Sequence, residues 1–365
     1  MFLESVSFEN YRNLSNGAFC PSDGINVIYG NNAQGKTNLM ESMWLFTGGR
    51  SFRGAKDKEL IRFGESRAKV TAQFHARERE HTLEILIQNN KRTAILNGVP
   101  KMYLSQIIGV FCAVVFSPNH LTLMKNGPEE RRNFIDSAIC QIRPAYAALL
   151  SRYRKILNER NALLKAIPQE PALAETLEVW DERLSEEGAV IALYRYAYVR
   201  RFAELSKEFY KGISNGKEQL ETAYHTCCLG EDGMKREELK TLLLRMLEQR
   251  RKEDIVLGYT ARGIHRDDIL VRINGKPAKT FGSQGQQRSA VLAMKLAEAS
   301  MLEHAIGEPP VILLDDVLSE LDTARQDYLM NSLHGQVFIT CCDTALHARN
   351  RFLMKNGELF PTEEI

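Results

Sequence analysis

The sequence has little of what marks a disulfide-rich or zinc-binding protein. It contains 7 cysteines, and no two of them form a C-x-x-C pair. Neither a zinc site nor a disulfide framework is therefore indicated. The cysteines, which include the adjacent pairs Cys227-Cys228 and Cys341-Cys342, are expected to be small buried residues.

Long apolar runs and a leader pattern are also missing. The longest apolar run, residues 107–116, is far shorter than the roughly 20 residues that a membrane span needs. Residues 1–14 carry Glu4 and Glu9 and lack the basic-then-apolar order of a signal peptide. We therefore expect a cytoplasmic protein with no membrane partner.

Charge of one sign is not in excess. The 365 residues include 48 Lys and Arg against 46 Asp and Glu, a formal net charge of +2. A near-neutral total neither requires nor excludes nucleic acid, because a phosphate-binding face is a local feature. The composition, 44% hydrophobic and 26% charged, is that of a globular protein. The length suggests two domains, or one domain with a large insertion.

Apolar residues change their spacing along the chain. A short apolar strand is predicted at residues 25–29, directly before a glycine-rich loop. From Pro128 to Met246 the apolar residues recur at helical spacing, and Pro168 and Pro171 break this run into at least two long helices. The sequence thus predicts a helical segment in the middle of the chain.

Strand character returns in the last third. Residues 311–314 and 337–340 are continuous apolar runs, which are typical of strands buried on both faces of a sheet. We predict an α/β fold in which the two chain ends, residues 1–127 and 247–365, form one unit. Residues 128–246 are predicted to form a helical lobe inserted between them.

The glycine-rich loop matches the pattern G-x-x-x-x-G-K-T. In such a loop several backbone N–H groups converge on one anion, and the N-terminus of the following helix adds partial positive charge. The lysine reaches the β and γ phosphates of ATP, and the threonine hydroxyl binds Mg²⁺. We therefore predict an ATP site formed by Gly30, Asn31, Asn32, Ala33, Gln34, Gly35, Lys36, Thr37 and the adjacent Asn38.

Two acids follow the apolar strand at 311–314. Asp315 is placed to bind Mg²⁺, and Asp316 to orient or deprotonate the attacking water. Lys36 and Asp315 are 279 positions apart (315 − 36), much further than in small GTPases and nucleotide kinases. Thr340 ends the next strand and is a candidate for a hydrogen bond to the γ-phosphate or the attacking water, with a local structural role as the alternative. Together with Lys36, these are the predicted catalytic residues.

A polar turn precedes the acidic strand. Ser283, Gln284, Gly285 and Gln286 precede a helix predicted from Ser289 to Leu302, whose N-terminus attracts anions. Within one subunit the loop already holds the phosphates, so this turn is predicted to cap the γ-phosphate held by a second copy. The two copies would form a two-fold dimer with two buried ATP molecules. The alternative is a helix-capping turn without a nucleotide contact.

These motifs, in this order, resemble the ABC-type ATPase heads of the SMC/Rad50 group, and within that group the RecF family. Other segments that carry the resemblance are Asn10-Tyr11-Arg12-Asn13, Ser51-Phe52-Arg53, Phe116-Ser117-Pro118, Arg131 to Asp136 and Arg262 to Asp268. The last segment departs slightly from the family pattern, with Ile264 in place of a common proline. The resemblance implies an ABC-type P-loop ATPase head built from both chain ends, with Arg12 near the nucleotide.

The resemblance also implies an activity. Members of this family bind ATP and Mg²⁺, form a homodimer on ATP, and bind DNA as duplex or at single-strand/duplex junctions without reading its sequence. They hydrolyse ATP weakly and act with RecR and RecO to load the recombinase RecA at gaps. We expect the same partners here, a DNA-stimulated ATPase, and a cytoplasmic location on the nucleoid.

Basic residues outnumber acidic ones in two stretches, from Arg50 to Lys69 and from Lys125 to Lys165. Such stretches can neutralise DNA phosphates without reading sequence. A solvated face with scattered charges is the alternative. The second stretch includes Arg131, Arg132, Arg143, Arg152, Arg154 and Lys155.

Three other classes have to be distinguished. The ATPase subunit of a membrane transporter shares the ABC architecture, but here Gln284 to Gln287 replace Ser-Gly-Gly-Gln, and Thr340 stands where transporters place a histidine. A nuclease with an ABC head needs a further carboxylate cluster, for which Asp267-Asp268 is the candidate. A DNA-binding protein that holds ATP without hydrolysing it is disfavoured by the loop lysine and the acid pair.

Overall fold

The computed structural model describes residues 1–226, 235–342 and 350–362, so the pair Cys227-Cys228 lies outside the described residues. The strands are β1 (Phe2–Glu9), β2 (Gly17–Phe19), β3 (Ile25–Tyr29), β4 (Arg67–Ala76), β5 (Arg79–Gln88), β6 (Lys91–Leu96), β7 (Val99–Lys101), β8 (Ala113–Phe116), β9 (Leu220–His225), β10 (Asp268–Ile273), β11 (Lys276–Pro277), β12 (Val311–Asp315), β13 (Val337–Cys341), β14 (Asn350–Lys355) and β15 (Glu358–Thr362). The α-helices are α1 (Lys36–Leu45), α2 (Thr122–Lys125), α3 (Pro128–Ile142), α4 (Ala145–Ala166), α5 (Leu177–Ile213), α6 (Arg236–Leu257), α7 (Ala278–Phe281), α8 (Gln284–Ile306) and α9 (Thr323–Ser332).

The central sheet takes strands from both ends of the chain. Its order is β15-β14-β3-β13-β12-β8. All neighbours are parallel except β14 and β15, which form an antiparallel hairpin. The predicted α/β head built from two chain ends is therefore confirmed. Because β3 and β12 are both beside β13, the loop after β3 and the acids at the end of β12 come out at the same edge of the sheet.

Both faces of this sheet are covered, as the continuous apolar runs predict. Along β12, Ile312 and Leu314 pack into a core shared with α3, α5 and α8. Val311 and Leu313 point to the other face and pack into a core shared with α1 and β4. The strand therefore holds the acids at its end between two separate apolar cores.

An antiparallel sheet lies over the α1 side, with the order β2-β1-β4-β5-β6-β7. Asn89 and Asn90 have φ of 52° and 58°, and Asn97 and Gly98 have φ of 52° and 76°. Two consecutive residues with positive φ are typical of two-residue hairpin turns, whose twist matches that of the flanking strands. The connections from β5 to β6 and from β6 to β7 are therefore tight hairpin turns.

The middle of the chain is mainly helical. Helix α5 has 37 residues and packs against α4, α6 and α8. Pro168 and Pro171 lie between α4 and α5, where a break was predicted. The predicted boundary at residue 246 falls inside α6, which continues to Leu257, and the division into three parts stays a prediction. Among the described helices, none combines the length and apolar character needed to span a membrane.

Candidate nucleotide site

The phosphate loop connects β3 to α1. Gly30, Ala33 and Gly35 have positive φ values of 146°, 64° and 120°, which curl the chain tightly. Gly35 is the residue before α1, and the helix has neither a side-chain cap nor an acid in its first turn. The first N–H groups of this helix are therefore available to a ligand, and the helix dipole favours an anion there.

Lys36 lies within this loop and is only 8% exposed. Its Nζ donates to the carbonyl oxygens of Gly30 at 2.5 Å and Asn31 at 2.9 Å, and lies 3.7 Å from Sγ of Cys342. The carbonyls are neutral acceptors, so they leave the ammonium charge available to a phosphate. Cys341 is buried as expected, but Cys342 is exposed, because it follows the end of β13 at the mouth of the loop. The prediction that the cysteines are buried is therefore wrong for Cys342 and also for Cys20, which is exposed.

Three hydroxyl and carboxyl groups meet beside the loop. Oδ1 of Asp315 accepts hydrogen bonds from Oγ1 of Thr37 and Oγ1 of Thr340, each at 3.0 Å. Burial raises the pKa of Asp315, and the two hydroxyl hydrogen bonds partly oppose that rise. A carboxylate and a hydroxyl are hard oxygen ligands of the kind Mg²⁺ prefers, with phosphate oxygens and water completing its shell. Thr37 and Asp315 therefore fit a Mg²⁺ ion.

The hydroxyl group of Thr340 both donates and accepts a hydrogen bond. Besides donating to Asp315, it accepts from the backbone N–H of Asp316 at 2.9 Å. This geometry joins the ends of β12 and β13 and gives Thr340 a local positioning role. A contact between Thr340 and the γ-phosphate or the attacking water stays a prediction.

Asp316 adopts a left-handed conformation with φ of 54°. Its carbonyl oxygen accepts a hydrogen bond from Oγ of Ser319 at 3.0 Å. The residue lines a cavity of about 1170 Å³ that also contains Thr340. Asp315 and Asp316 thus differ in position, the first bonded to Thr37 and the second facing the open volume.

The predicted loop residues divide between two cavities. The large cavity is lined by Asn32, Ala33, Gly35, Lys36, Thr37 and Asn38. Gly30, Asn31 and Gln34 line a smaller cavity of about 350 Å³ on the side of β14. The side chain of Gln34 is turned that way because its Oε1 accepts from the N–H of Asn356 at 2.6 Å.

Arg12 reaches the large cavity, and a buried acid fixes its orientation. Glu41, on α1, is fully buried and accepts from Nε of Arg12 at 2.9 Å and from Nη2 at 3.1 Å. Tyr11 and Ser51 also donate to this carboxylate. Burial, with Glu41 beside it, raises the pKa of Tyr11 well above its usual value. The contact between Arg12 and a nucleotide, implied by the family resemblance, stays a prediction.

The cavity extends to residues that motif analysis did not assign to the nucleotide. Arg53, Lys58, Arg62 and Phe63 line its outer part. Nη1 of Arg53 donates to Oδ1 of Asn38 at 2.9 Å. Phe63 is fully exposed, which is unusual for a phenylalanine. The excess of basic residues from Arg50 to Lys69 identified Arg53, Lys58 and Arg62 only as candidate DNA contacts. No local sequence pattern distinguishes Phe63.

The turn at Ser283 is a helix cap in this chain. Oγ of Ser283 accepts from the N–H of Gln286 at 3.2 Å, and the N–H of Ser283 donates to Oε1 of Gln286 at 2.8 Å. Residues 283–286 are not among the described residues that line the large cavity. The structure therefore places this turn away from the loop of its own chain, and its contact with a second copy stays a prediction.

Several basic residues assigned to a DNA face are bound internally. Arg131 is 8% exposed and forms a bidentate pair with Asp268, with distances of 2.7 and 2.9 Å. Arg132 donates to the carbonyl of Asp267 at 2.6 Å. Burial raises the pKa of Asp267 to about 6 although Tyr224 donates to its carboxylate. These contacts join α3 to the start of β10. No group of three or more potential metal ligands occurs in the described ranges.

The fold and the site together define an SMC-like ATPase head. The head domain of Smc from Pyrococcus furiosus has the same fold, with a TM-score of 0.56, 14% identity and coverage of 99% of this chain and 96% of that one. The family model described as the RecF/RecN/SMC N terminal domain matches residues 2–355.

The chain belongs to the RecF family. It is 38% identical over 353 residues to the DNA replication and repair protein RecF of Lachnoclostridium phytofermentans, which covers 96% of this chain and 95% of that protein. A solved structure of the recombination mediator protein RecF with ATP, in the RecFOR pathway, is 35% identical. Its TM-score is 0.94, with coverage of 99% of this chain and 97% of that chain. This assignment leaves the transporter alternative without support.

Proposed function

We propose that this chain is an ATP-dependent DNA-binding protein of recombinational repair and replication restart. It would act in the cytoplasm, on the nucleoid, with RecO and RecR, to help load RecA at gaps. The observation that carries the ATP part is that Lys36 and Thr37 line a large cavity, and that Asp315, from the other end of the chain, accepts a hydrogen bond from Thr37 beside it. The similarity to a RecF structure with ATP supports the same ligand here.

ATP and Mg²⁺ would occupy the large cavity in a defined direction. The phosphates would lie on the loop, with Mg²⁺ between Thr37 and Asp315, because the lysine and the helix N-terminus are there. The adenine would extend towards Phe63, whose exposed ring offers a stacking surface. Asp316 would align the attacking water, and hydrolysis would be weak and DNA-stimulated.

A dimer would complete the site. Ser283 and Gln284 are exposed at the start of the 23-residue helix α8, outside the cavity of their own chain. A Cβ placed at Gly285 would have no neighbour closer than 3.8 Å, so packing within the chain does not require glycine there. We infer that this open backbone is kept for the triphosphate of a second copy, which makes ATP part of the dimer interface.

DNA would bind across the closed dimer through backbone phosphates. Arg143 is exposed in the turn before α4, and Arg154 and Lys155 are exposed near the middle of that helix. These three residues take part in none of the ion pairs found among the described residues. They would neutralise phosphates of duplex or junction DNA without reading sequence. Hydrolysis would remove the γ-phosphate contact, reopen the dimer and release the DNA.

The test uses Asp316→Asn, which should close on ATP and fail to reopen. Sedimentation of this variant with labelled duplex DNA, with and without ATP and Mg²⁺, should show a DNA-bound dimer only when ATP is present. Lys36→Met is the matched control and should stay monomeric. A Lys36→Met protein that still dimerised on ATP, or an ATP-bound Asp316→Asn protein that stayed monomeric, would contradict the mechanism.

A further inference from the structure

The turn between β14 and β15, at Asn356 and Gly357, contacts the phosphate loop directly. The N–H of Asn356 donates to Oε1 of Gln34 at 2.6 Å, and the N–H of Gly357 donates to the carbonyl oxygen of Gln34 at 3.0 Å. The carbonyl oxygen of Gly357 accepts from the N–H of Ser15 at 2.9 Å. One turn near the end of the chain is therefore bonded both to the middle of the loop and to the segment that carries Arg12.

Glycine is required at position 357 for two separate reasons. Its φ is 81°, and a Cβ there would lie 2.0 Å from the carbonyl oxygen of Asn13 and 3.1 Å from the backbone nitrogen of Ser15. These are backbone atoms, so no side-chain rotation can relieve the overlap. The preceding strand approaches the loop just as closely, since a Cβ at Gly30 would lie 2.4 Å from the carbonyl oxygen of Met354.

These contacts act where the loop has its least favourable conformation. Gln34 lies between Ala33, with φ of 64°, and Gly35, with φ of 120°. A non-glycine residue in the left-handed region is held there only by its surroundings. The carbonyl of Gln34 points to the turn, and a trans peptide directs its C=O and N–H to opposite sides. The N–H of Gly35 therefore points away from the turn, and Gly35 lines the large cavity.

We propose that the Asn356–Gly357 turn is a positioning element of the ATP site, which holds the phosphate loop in its anion-binding conformation through Gln34. This inference rests on the proposed binding of ATP at that loop. It adds the C-terminal hairpin, whose described residues do not line the large cavity, to the residues that set ATP affinity.

A second turn in the same chain offers a matched control. Asn274 and Gly275, between β10 and β11, have φ of 51° and 75°, nearly the same as 52° and 81° at Asn356 and Gly357. A Cβ at Gly275 would meet nothing within 4 Å. Gly275→Ala thus imposes the same local backbone strain as Gly357→Ala without the backbone overlap at Asn13 that would displace the Asn356–Gly357 turn from Gln34.

The experiment measures the Kd of ATP and Mg²⁺ by calorimetric titration, and unfolding without nucleotide, for wild type, Gly357→Ala and Gly275→Ala. Gly357→Ala should weaken ATP binding at least tenfold and raise KM similarly, with kcat at saturating ATP within twofold, since Asp315 and Asp316 lie on another strand. Gly275→Ala should bind ATP within twofold of wild type. Gln34→Ala, which removes one of the two hydrogen bonds, should weaken binding to an intermediate degree and serves as the test if Gly357→Ala does not fold.

Equal ATP affinity in the two glycine variants, whether unchanged from wild type or weakened to the same extent, would overturn the inference. The contact of the turn with the loop would then have no effect on ATP binding beyond that of local backbone strain. Unchanged affinity in Gln34→Ala would also overturn the inference if that variant is the one that folds. Wild type without measurable ATP binding would instead refute the proposed function itself.

Discussion

Replacing Thr340 by valine tests the arrangement at the ends of β12 and β13. The side chain is 1% exposed, and valine has nearly the same shape without the hydroxyl. The change deletes the hydrogen bond to Oδ1 of Asp315 and leaves the backbone N–H of Asp316 without this acceptor. Thr37 still donates to Asp315, so the carboxylate keeps one of its two hydroxyl partners.

The expected cost follows from these two losses. A hydrogen bond to a charged group contributes about 1.5–3 kcal/mol, and a buried donor without a partner costs about 1–3 kcal/mol. The Asp316 N–H is only partly buried, so we expect the free energy of unfolding to fall by about 2–4 kcal/mol. Thr340→Ser keeps the hydroxyl, loses one methyl group and should cost about 1 kcal/mol.

The penalty should also depend on pH. Burial raises the folded-state pKa of Asp315 above its unfolded value, so its contribution to stability falls as pH rises from the usual carboxyl range through the folded-state pKa. Loss of the Thr340 hydrogen bond raises that pKa further. The cost of Thr340→Val should therefore be smaller at low pH, where Asp315 is protonated in both states and the lost acceptor of the Asp316 N–H is the main remaining penalty. It should reach its full value above the raised pKa.

The assay is urea unfolding of each variant at pH 3, below the ordinary carboxyl pKa of 3.8, and at pH 8. Thr47→Val is the matched control, because the hydroxyl of Thr47 is also buried, donates to the carbonyl of Trp44 at 2.8 Å and accepts from the N–H of Gly49 at 3.1 Å. Its partners do not titrate, so its cost should not change with pH. A Thr340→Val penalty that is equal at both pH values and no larger than that of Thr47→Val would refute the reasoning.

Three further outcomes are expected. Phe63→Ala should weaken ATP binding by about 1–3 kcal/mol through lost stacking, and Phe63→Trp should preserve it, as measured by titration; equal affinities would argue against stacking. ATP should slow the alkylation of Cys342 by iodoacetamide, followed by mass spectrometry, because its Sγ is 3.7 Å from Nζ of Lys36; an unchanged rate would place the phosphates elsewhere. Arg160→Met should cost about 3–5 kcal/mol of unfolding free energy, since Arg160 is fully buried with two carboxylate partners, whereas Arg201→Met breaks an exposed pair and should cost no more than about 1 kcal/mol.

Local pattern was enough to predict the elements that carry the phosphate loop. The strand at Ile25–Tyr29 agrees with its prediction, and the helix expected after the loop is α1. The C-terminal hairpin was missed, because Asn350–Lys355 and Glu358–Thr362 are only partly apolar and alternate weakly. The sheet of β9, β10 and β11 was missed for a related reason, since its strands are short and lie beside long helices.

Several side chains were identified by type but not by partner. Arg53 and Arg131 were both members of basic stretches, yet one lines the nucleotide cavity and the other is paired with Asp268. Gln34 was one residue of a loop motif, yet its side chain bonds to the C-terminal turn. Charge and motif position identify the chemical group of a side chain. Its hydrogen-bond or ion-pair partner depends on which segments of the chain the fold brings together.

The sequence by itself determined that this chain has a phosphate loop, an acidic strand and a helical insertion, because each depends on residue types at short spacing. Only the tertiary structure decided that Thr37, Asp315 and Thr340 share one carboxylate oxygen, and that Gly357 lies against the loop. The physical reason is the strand order β14-β3-β13-β12. That order is set by the packing of two apolar cores on opposite faces of the sheet, which no local window of sequence contains.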